Sequence, residues 1–290
     1  MNERTMVLGT SRSLVGVATL PPGDAVDPDR PALIVLNAGH VHRVGPHRLH
    51  VRLNRRIAQR GFMAMRFDFS GIGDSPPRPD SLPFEQSAPL EVREVMDDLE
   101  RATGVRRFCI AGLSSGALLS LASAVADRRV VGACMMNPHG FAQDAQWTEH
   151  VERLSESRIY ARNVFQLDSW RKLLTGKTNY RRLARALWYK AGEGRHRAKV
   201  AGVVEQARPV LADLLKLEAN VLVLFSEKDR SLENFDEILG PGWRERVGAN
   251  VEVAILRGAN HTFARPMDLE AAVDAVEGWM LRCWPAGGRA

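Results

Sequence analysis

Short apolar runs alternate along the chain with longer segments of mixed, helical period. Ala32-Leu-Ile-Val-Leu36 is uninterrupted by any polar residue, the pattern of a strand buried on both faces. Phe108–Leu113 and Val130–Met136 repeat it, while Phe62–Phe69, Asn220–Phe225 and Val251–Leu256 are strand-like runs with one or two polar residues each. Between them, His47–Arg60 sets Leu49, Val51, Leu53 and Ile57 among Arg and His and stops at Gly61, which predicts a helix with a glycine terminator. Leu90–Arg101 and Ser115–Ala126 are further helices, and Leu269–Leu281 is a final amphipathic one. Ahead of all these, Thr5–Leu8 and Leu14–Leu20 flank the turn-prone Gly9-Thr10-Ser11 and predict an antiparallel edge pair. From Ala32 onward strand and helix alternate, which implies right-handed crossovers and a doubly wound, mainly parallel α/β sheet.

The alternation breaks after the sixth strand. From 141 to 216 no buried strand is legible, and the segment is helical in period and rich in Arg, Trp and Tyr. The expectation is a helical cap at 141–216 inserted into a core made of 1–140 and 217–290. The chain's net charge of +6 has its source here: residues 141–216 carry fifteen Lys/Arg against eight Asp/Glu. Arg-rich stretches such as Arg181-Arg182-Leu-Ala-Arg185 read as a solvated helix face. The functional alternative is docking of an acidic carrier protein, of a coenzyme A thioester through its phosphates, or of an anionic glycan. No nucleic-acid motif accompanies the charge. The three cysteines are scattered and odd in number, which fits a reducing cytoplasm better than a disulfide framework. The N-terminus lacks the pattern of a signal peptide, and no apolar run reaches the ~18 residues of a membrane span. A cytoplasmic location is expected.

The chemistry centres on Gly112-Leu-Ser114-Ser115-Gly116, directly after a buried strand and directly before a helix. A sharp strand-to-helix turn projects a serine hydroxyl at the top of a sheet, and small flanking residues allow the close packing it needs. Ser114 is the candidate nucleophile; Ser115 is the weaker candidate and supplies an oxyanion-hole amide. A serine needs a base. His261 follows the strand ending at Leu256, and Asp229 follows the strand ending at Phe225, with Glu227 as its nearest rival. The order Ser, Asp, His along the chain and their common sheet edge make a triad. The second oxyanion donor is expected at the end of the third strand, from Gly39 or His40, and the choice between them stays open.

Gly112–Gly116, Asp229, His261 and the turn Asp68-Phe-Ser-Gly71-Ile-Gly73-Asp-Ser75 resemble the α/β-hydrolase superfamily over nearly the whole chain. Two segments, Leu36–Arg48 and Arg66–Ser75, are similar more narrowly to the hydrolases associated with exosortase A systems, bacterial proteins encoded near exopolysaccharide loci. Where better-known lipases carry a His-Gly pair after the third strand, this chain has Asn37-Ala38-Gly39.

His40, His42, His47 and His50 lie close in sequence, but no cysteine or paired acid completes a zinc set. They read as loop and helix-surface side chains, as do Arg43 and Arg48, for which contact with an anionic substrate group is the alternative. No metal or other cofactor is implied. The leading function is a serine hydrolase cleaving an ester or thioester of a small acyl substrate. Acyl transfer to an amine or alcohol is the alternative, and a non-catalytic binding protein with a vestigial site comes third.

Overall fold

The computed structural model describes residues 2–139, 217–240 and 242–285, so the expected cap at 141–216 lies outside the described residues. Eight strands form one sheet: β1 (Asn2–Leu8), β2 (Leu14–Leu20), β3 (Ala32–Leu36), β4 (Ala64–Phe67), β5 (Phe108–Leu113), β6 (Val130–Met136), β7 (Asn220–Ser226) and β8 (Val251–Leu256). Their spatial order is β1-β2-β4-β3-β5-β6-β7-β8. β1 and β2 pair antiparallel, as do β2 and β4, and every later pairing is parallel. The continuous apolar runs take the centre: each residue of β3 and β5 is buried. β1, polar along most of its length, takes the exposed edge.

The helices α1 (Leu49–Gln59), α2 (Phe84–Thr103), α3 (Ser115–Ala126) and α5 (Pro266–Cys283) flank this sheet. Strand alternation sends Leu33, Val35, Ala111, Leu113, Met136 and Leu224 into one core with Leu53 and Ile57 of α1 and Val273, Val276 and Trp279 of α5. α2 and α3 pack on each other, with α3 against β5 and β6. Helix boundaries move from the predicted ones for local reasons. α1 starts at Leu49 because His47 and Arg48 hold left-handed backbone, φ 51° and 63°. α2 runs back across Pro89 to Phe84; burial of Ser87 and Ala88 anchors that first stretch although the proline forfeits one backbone bond. β4 is shorter than the apolar run Phe62–Phe69.

Residues 232–243 belong to a second compact unit. There, α4 (Ser231–Leu239) was not legible as a helix in the apolar pattern. Within that stretch, Phe235 stacks 5.4 Å from Trp243, whose indole N–H donates to Asp236 Oδ1 at 2.9 Å.

The parallel registers set up the site. Leu36 sits opposite Gly112, Leu113 opposite Met136, Met136 opposite Leu224, and Ser226 opposite Leu256. Residues just beyond β3, β5, β6, β7 and β8 therefore emerge together at one edge of the sheet.

Candidate active site

Ser114 caps α3 with φ 61° and ψ −119°, a conformation that costs a non-glycine residue about 1–3 kcal/mol and persists only where the surroundings impose it. Here packing imposes it. A Cβ on Gly112 would overlap the Gly116 carbonyl, and one on Gly116 would lie 2.6 Å from the Asn37 carbonyl oxygen. Both glycines of the motif are thus required by close approach. The Ser114 N–H donates to the Met136 carbonyl at 2.9 Å, and its own carbonyl accepts from Ala117 N at 3.1 Å and His139 N at 3.4 Å.

Asp229 and His261 meet: His261 Nδ1 lies 2.6 Å from Asp229 Oδ2. Asp229 Oδ1 accepts from Ser231 N at 2.9 Å. Burial works to raise the Asp229 pKa, but the hydrogen bonds from His261 and Ser231 outweigh it and hold the carboxyl below its ordinary value. An ionised carboxylate only accepts, so in the neutral imidazole Nδ1 carries the hydrogen and Nε2 the free lone pair. The rival acid does a different job: Glu227 Oε2 accepts from the Gly258 amide at 2.7 Å, tying the β7 and β8 loops together. Among the described residues, no hydrogen bond joins the Ser114 hydroxyl to the His261 imidazole.

Of the two candidate amides after β3, it is Gly39 that reaches the Ser114 turn, donating to Ser115 Oγ at 3.0 Å. Gly39 has φ 56°, and Val41 N bonds back to Ala38 O at 3.1 Å, so Gly39 and His40 form the tip of a turn. His40 is exposed and makes no hydrogen bond to Ser115 among the described residues.

Two residues at this edge escaped the sequence reading. Asn137, fully buried with φ 43°, donates through Nδ2 to Ser226 Oγ and to the His261 carbonyl, both at 2.8 Å, and accepts from Ser226 N at 2.7 Å. Ser226 Oγ donates onward to the Asn260 carbonyl at 2.9 Å. Asn137 therefore binds the ends of β6 and β7 to the loop carrying His261. The second is His139, exposed, whose ring stands edge-on to His261 with centroids 5.9 Å apart. The available signal for Asn137 was its place: an amide immediately after a buried strand, at the edge shared with Ser114.

The four histidines after β3 disperse. His50 is fully buried, His47 Nε2 lies 3.3 Å from Thr262 Oγ1, and His42 Nε2 lies 3.4 Å from Asp74 Oδ2. His42, Asp68 and Asp74 present ligand atoms within 4.8 Å of one another. The positive charge there is already supplied by Arg43, which pairs with Asp68 and, at 2.7 Å, with Asp74. This corrects the expectation that Arg43 points to solvent; its side chain is only 12% exposed, whereas Arg48 is exposed. Asp68 has no exposed surface, so its buried charge demands a cation and hydrogen-bond donors. It takes them from Arg43, Asn37 Nδ2 and the amides of Arg43 and Asp74. No helix among the described residues is long and apolar enough to cross a membrane.

The architecture has close counterparts among solved structures. A Pyrococcus furiosus esterase superposes with TM-score 0.62 at 14% identity, covering 98% of this chain and 92% of that one. A dienelactone hydrolase from Anabaena variabilis gives TM-score 0.58 at 13% identity, with 97% of each chain covered. An alpha-beta serine hydrolase homologue from Coxiella burnetii gives 0.56 at 14%, covering 97% of this chain and 96% of that one. At these identities the likeness speaks for the fold. No curated protein matches the chain. The family model described as the alpha/beta hydrolase family matches residues 32–277, a span that opens with β3 and includes the strained serine, the acid and the histidine, and the chain belongs to that family.

Proposed function

We propose that this protein is a serine hydrolase that cleaves an ester or thioester through an acyl-enzyme on Ser114. The observation that carries the reading is the 2.6 Å contact between His261 Nδ1 and Asp229 Oδ2, made at the sheet edge where Ser114 is held in strained backbone. In this mechanism Nε2 of His261 takes the Ser114 proton as Oγ attacks the acyl carbon, and Asp229 steadies the imidazolium that results. The Oγ–Nε2 hydrogen bond closes on substrate binding, as such bonds do in enzymes that are loose when empty. The amides of Ser115 and Gly39 hold the oxyanion. His261 then returns its proton to the leaving group, and water, activated by the same imidazole, releases the acid.

An esterase and a dienelactone hydrolase share the fold, which favours an ester over an amide. Transfer to an amine or alcohol would use the same residues and differ in product. The positive excess at 141–216 suits a thioester delivered by an acidic carrier or by coenzyme A. The segments Leu36–Arg48 and Arg66–Ser75 support the narrower kinship with the exosortase A system-associated hydrolases. Three free cysteines are in keeping with a reducing cytoplasm. A fluorophosphonate probe tests the core of the proposal: wild-type protein is labelled at Ser114, found by peptide mass spectrometry, and Ser114→Ala and His261→Ala are not. Absence of labelling in the wild type refutes it.

A further inference from the structure

The hydroxyl of Ser115 has a place that its backbone role does not account for. The residue after a nucleophilic serine contributes its amide to the oxyanion site, and for that purpose any side chain would serve. Here the side chain turns toward the same site. Its Oγ accepts the Gly39 amide at 3.0 Å, so the oxygen stands within hydrogen-bond reach of one of the two backbone donors expected to hold the oxyanion and belongs to the residue that supplies the other. Ser115 is exposed, which leaves the hydroxyl open to an incoming substrate.

A hydroxyl has one hydrogen and two lone pairs. One lone pair of Ser115 Oγ is used by Gly39, and among the described residues no acceptor takes its hydrogen. That hydrogen is therefore free to rotate toward negative charge developing beside it. The partner across the gap is equally well aimed. Gly39 has φ 56°, and a Cβ at this position would meet nothing within 4 Å. The glycine is demanded by backbone conformation alone, and that conformation points its N–H at Ser115.

We propose that the Ser115 side chain is a third oxyanion-hole donor: its hydroxyl holds the Gly39 amide toward the site in the empty enzyme and donates its own hydrogen to the oxyanion during attack. The inference rests on the reading of Ser114 as nucleophile. When an acyl oxygen enters, the Gly39 N–H transfers from Ser115 Oγ to the substrate oxygen, and the hydroxyl turns from acceptor to donor. A donor preset beside the place where charge develops acts on the transition state more than on the bound ester, so the effect belongs in kcat.

The test compares Ser115→Ala and Ser115→Thr with wild type. Two rates are read: hydrolysis of p-nitrophenyl butyrate, and labelling by a fluorophosphonate. In labelling, Ser114 Oγ forms the O–P bond as P–F breaks, fluoride leaves, and the serine proton passes to His261. For Ser115→Ala, kcat and the labelling rate constant should each fall on the order of 100-fold, with KM within about threefold of wild type. Ser115→Thr keeps a hydroxyl and should recover most of that loss. Labelling of Ser115→Ala at the wild-type rate overturns the inference while leaving Ser114 as nucleophile. So does an unchanged rate constant with a smaller labelled fraction and a lower melting temperature, which marks a structural tie only. Equal losses in Ala and Thr variants also overturn it. Failure of the wild type to label at Ser114 removes the underlying reading as well.

Discussion

Replacing Asn137 tests whether the loop bearing His261 is held by side-chain chemistry. Asn137→Ala removes two donated hydrogen bonds and one accepted bond. Ser226 Oγ keeps a partner in the Asn260 carbonyl, so the groups stranded are the Ser226 N–H and the His261 carbonyl. An unsatisfied buried polar group costs about 1–3 kcal/mol, or roughly 2–6 kcal/mol for the two. Alanine at φ 43° adds up to about 1 kcal/mol, because asparagine tolerates left-handed backbone better than alanine does, its short polar side chain bonding locally. The sum is a large part of a typical domain stability of about 5–15 kcal/mol. Asn137→Asp is the sharper probe. It tolerates the backbone and still accepts from Ser226 N, but it loses both donated bonds and sets an anion against the His261 carbonyl. Urea unfolding followed by tryptophan fluorescence should show destabilisation in both variants. Asn137→Asp, measured where it stays folded, should lose about 100-fold in kcat for p-nitrophenyl butyrate, the scale of a misplaced catalytic group. Stability within about 1 kcal/mol of wild type together with unchanged kcat in both variants would refute this account.

Three further outcomes follow. Asp229→Asn should lower kcat by on the order of 10³–10⁴-fold by stabilising the wrong imidazole tautomer, whereas Glu227→Gln should stay within about twofold of wild type; comparable losses in steady-state assays would mean the acids are misassigned. His50 is buried without a hydrogen-bond partner for either ring nitrogen, and burial, aided by Arg66 and opposed by Asp68 and the Arg43 backbone, pushes its pKa down to about 4. Its neutral form favours the native state above the unfolded value near 6.5; that contribution, about 3 kcal/mol, is lost as pH falls from about 6.5 to about 4. Urea midpoints of His50→Leu should therefore fall less over this window than those of wild type, and parallel declines would contradict the shift. Gly116→Ala drives a Cβ to 2.6 Å from the Asn37 carbonyl, costing about 1–3 kcal/mol of overpacking; activity should fall with it, and a fully active, equally stable variant would show that the turn has slack.

The fold was legible because the central parallel strands β3 and β5, buried on both faces, write themselves as unbroken apolar runs, and amphipathic helices punctuate the strands. The strand-to-helix turn at Ser114 was legible because glycines at 112 and 116 are the local requirement of a tight turn. The pairing of Asp229 rather than Glu227 with His261 was not fixed by spacing, since both acids follow the same strand; which carboxylate turns inward depends on the turn Asp229 N to Ser226 O. Arg43 misled for a related reason. An arginine in a histidine-rich loop resembles a surface residue until Asp68, 25 positions away, is known to be buried beneath it. Asn137 and His139 acquire meaning only when β7 and the loop after β8 are laid beside them, because their partners Ser226 and His261 lie 89 and 122 residues on.

Two asparagines divide the support of the site between them. Asn37 directly follows β3 and Asn137 directly follows β6. Asn37 donates to the Val41 carbonyl at 2.7 Å and to Asp68 at 3.0 Å, and accepts from Phe69 N at 3.0 Å. It thereby fixes the loop that presents Gly39, while its own carbonyl is the surface against which Gly116 packs. Asn137 fixes the loop that presents His261. The Gly39 loop and the His261 loop are thus anchored by separate buried networks, and Ser114 stands between them in its strained turn. In both cases an amide side chain meets the same demand: backbone groups left unpaired where a parallel strand ends need both donors and acceptors, which asparagine supplies from one position. This gives the Asn-Ala-Gly sequence a structural reason where lipases carry a His-Gly pair. It also implies that disturbing one network leaves the other standing: an Asn37 variant should weaken oxyanion stabilisation with the Asp229–His261 contact intact, and an Asn137 variant the reverse.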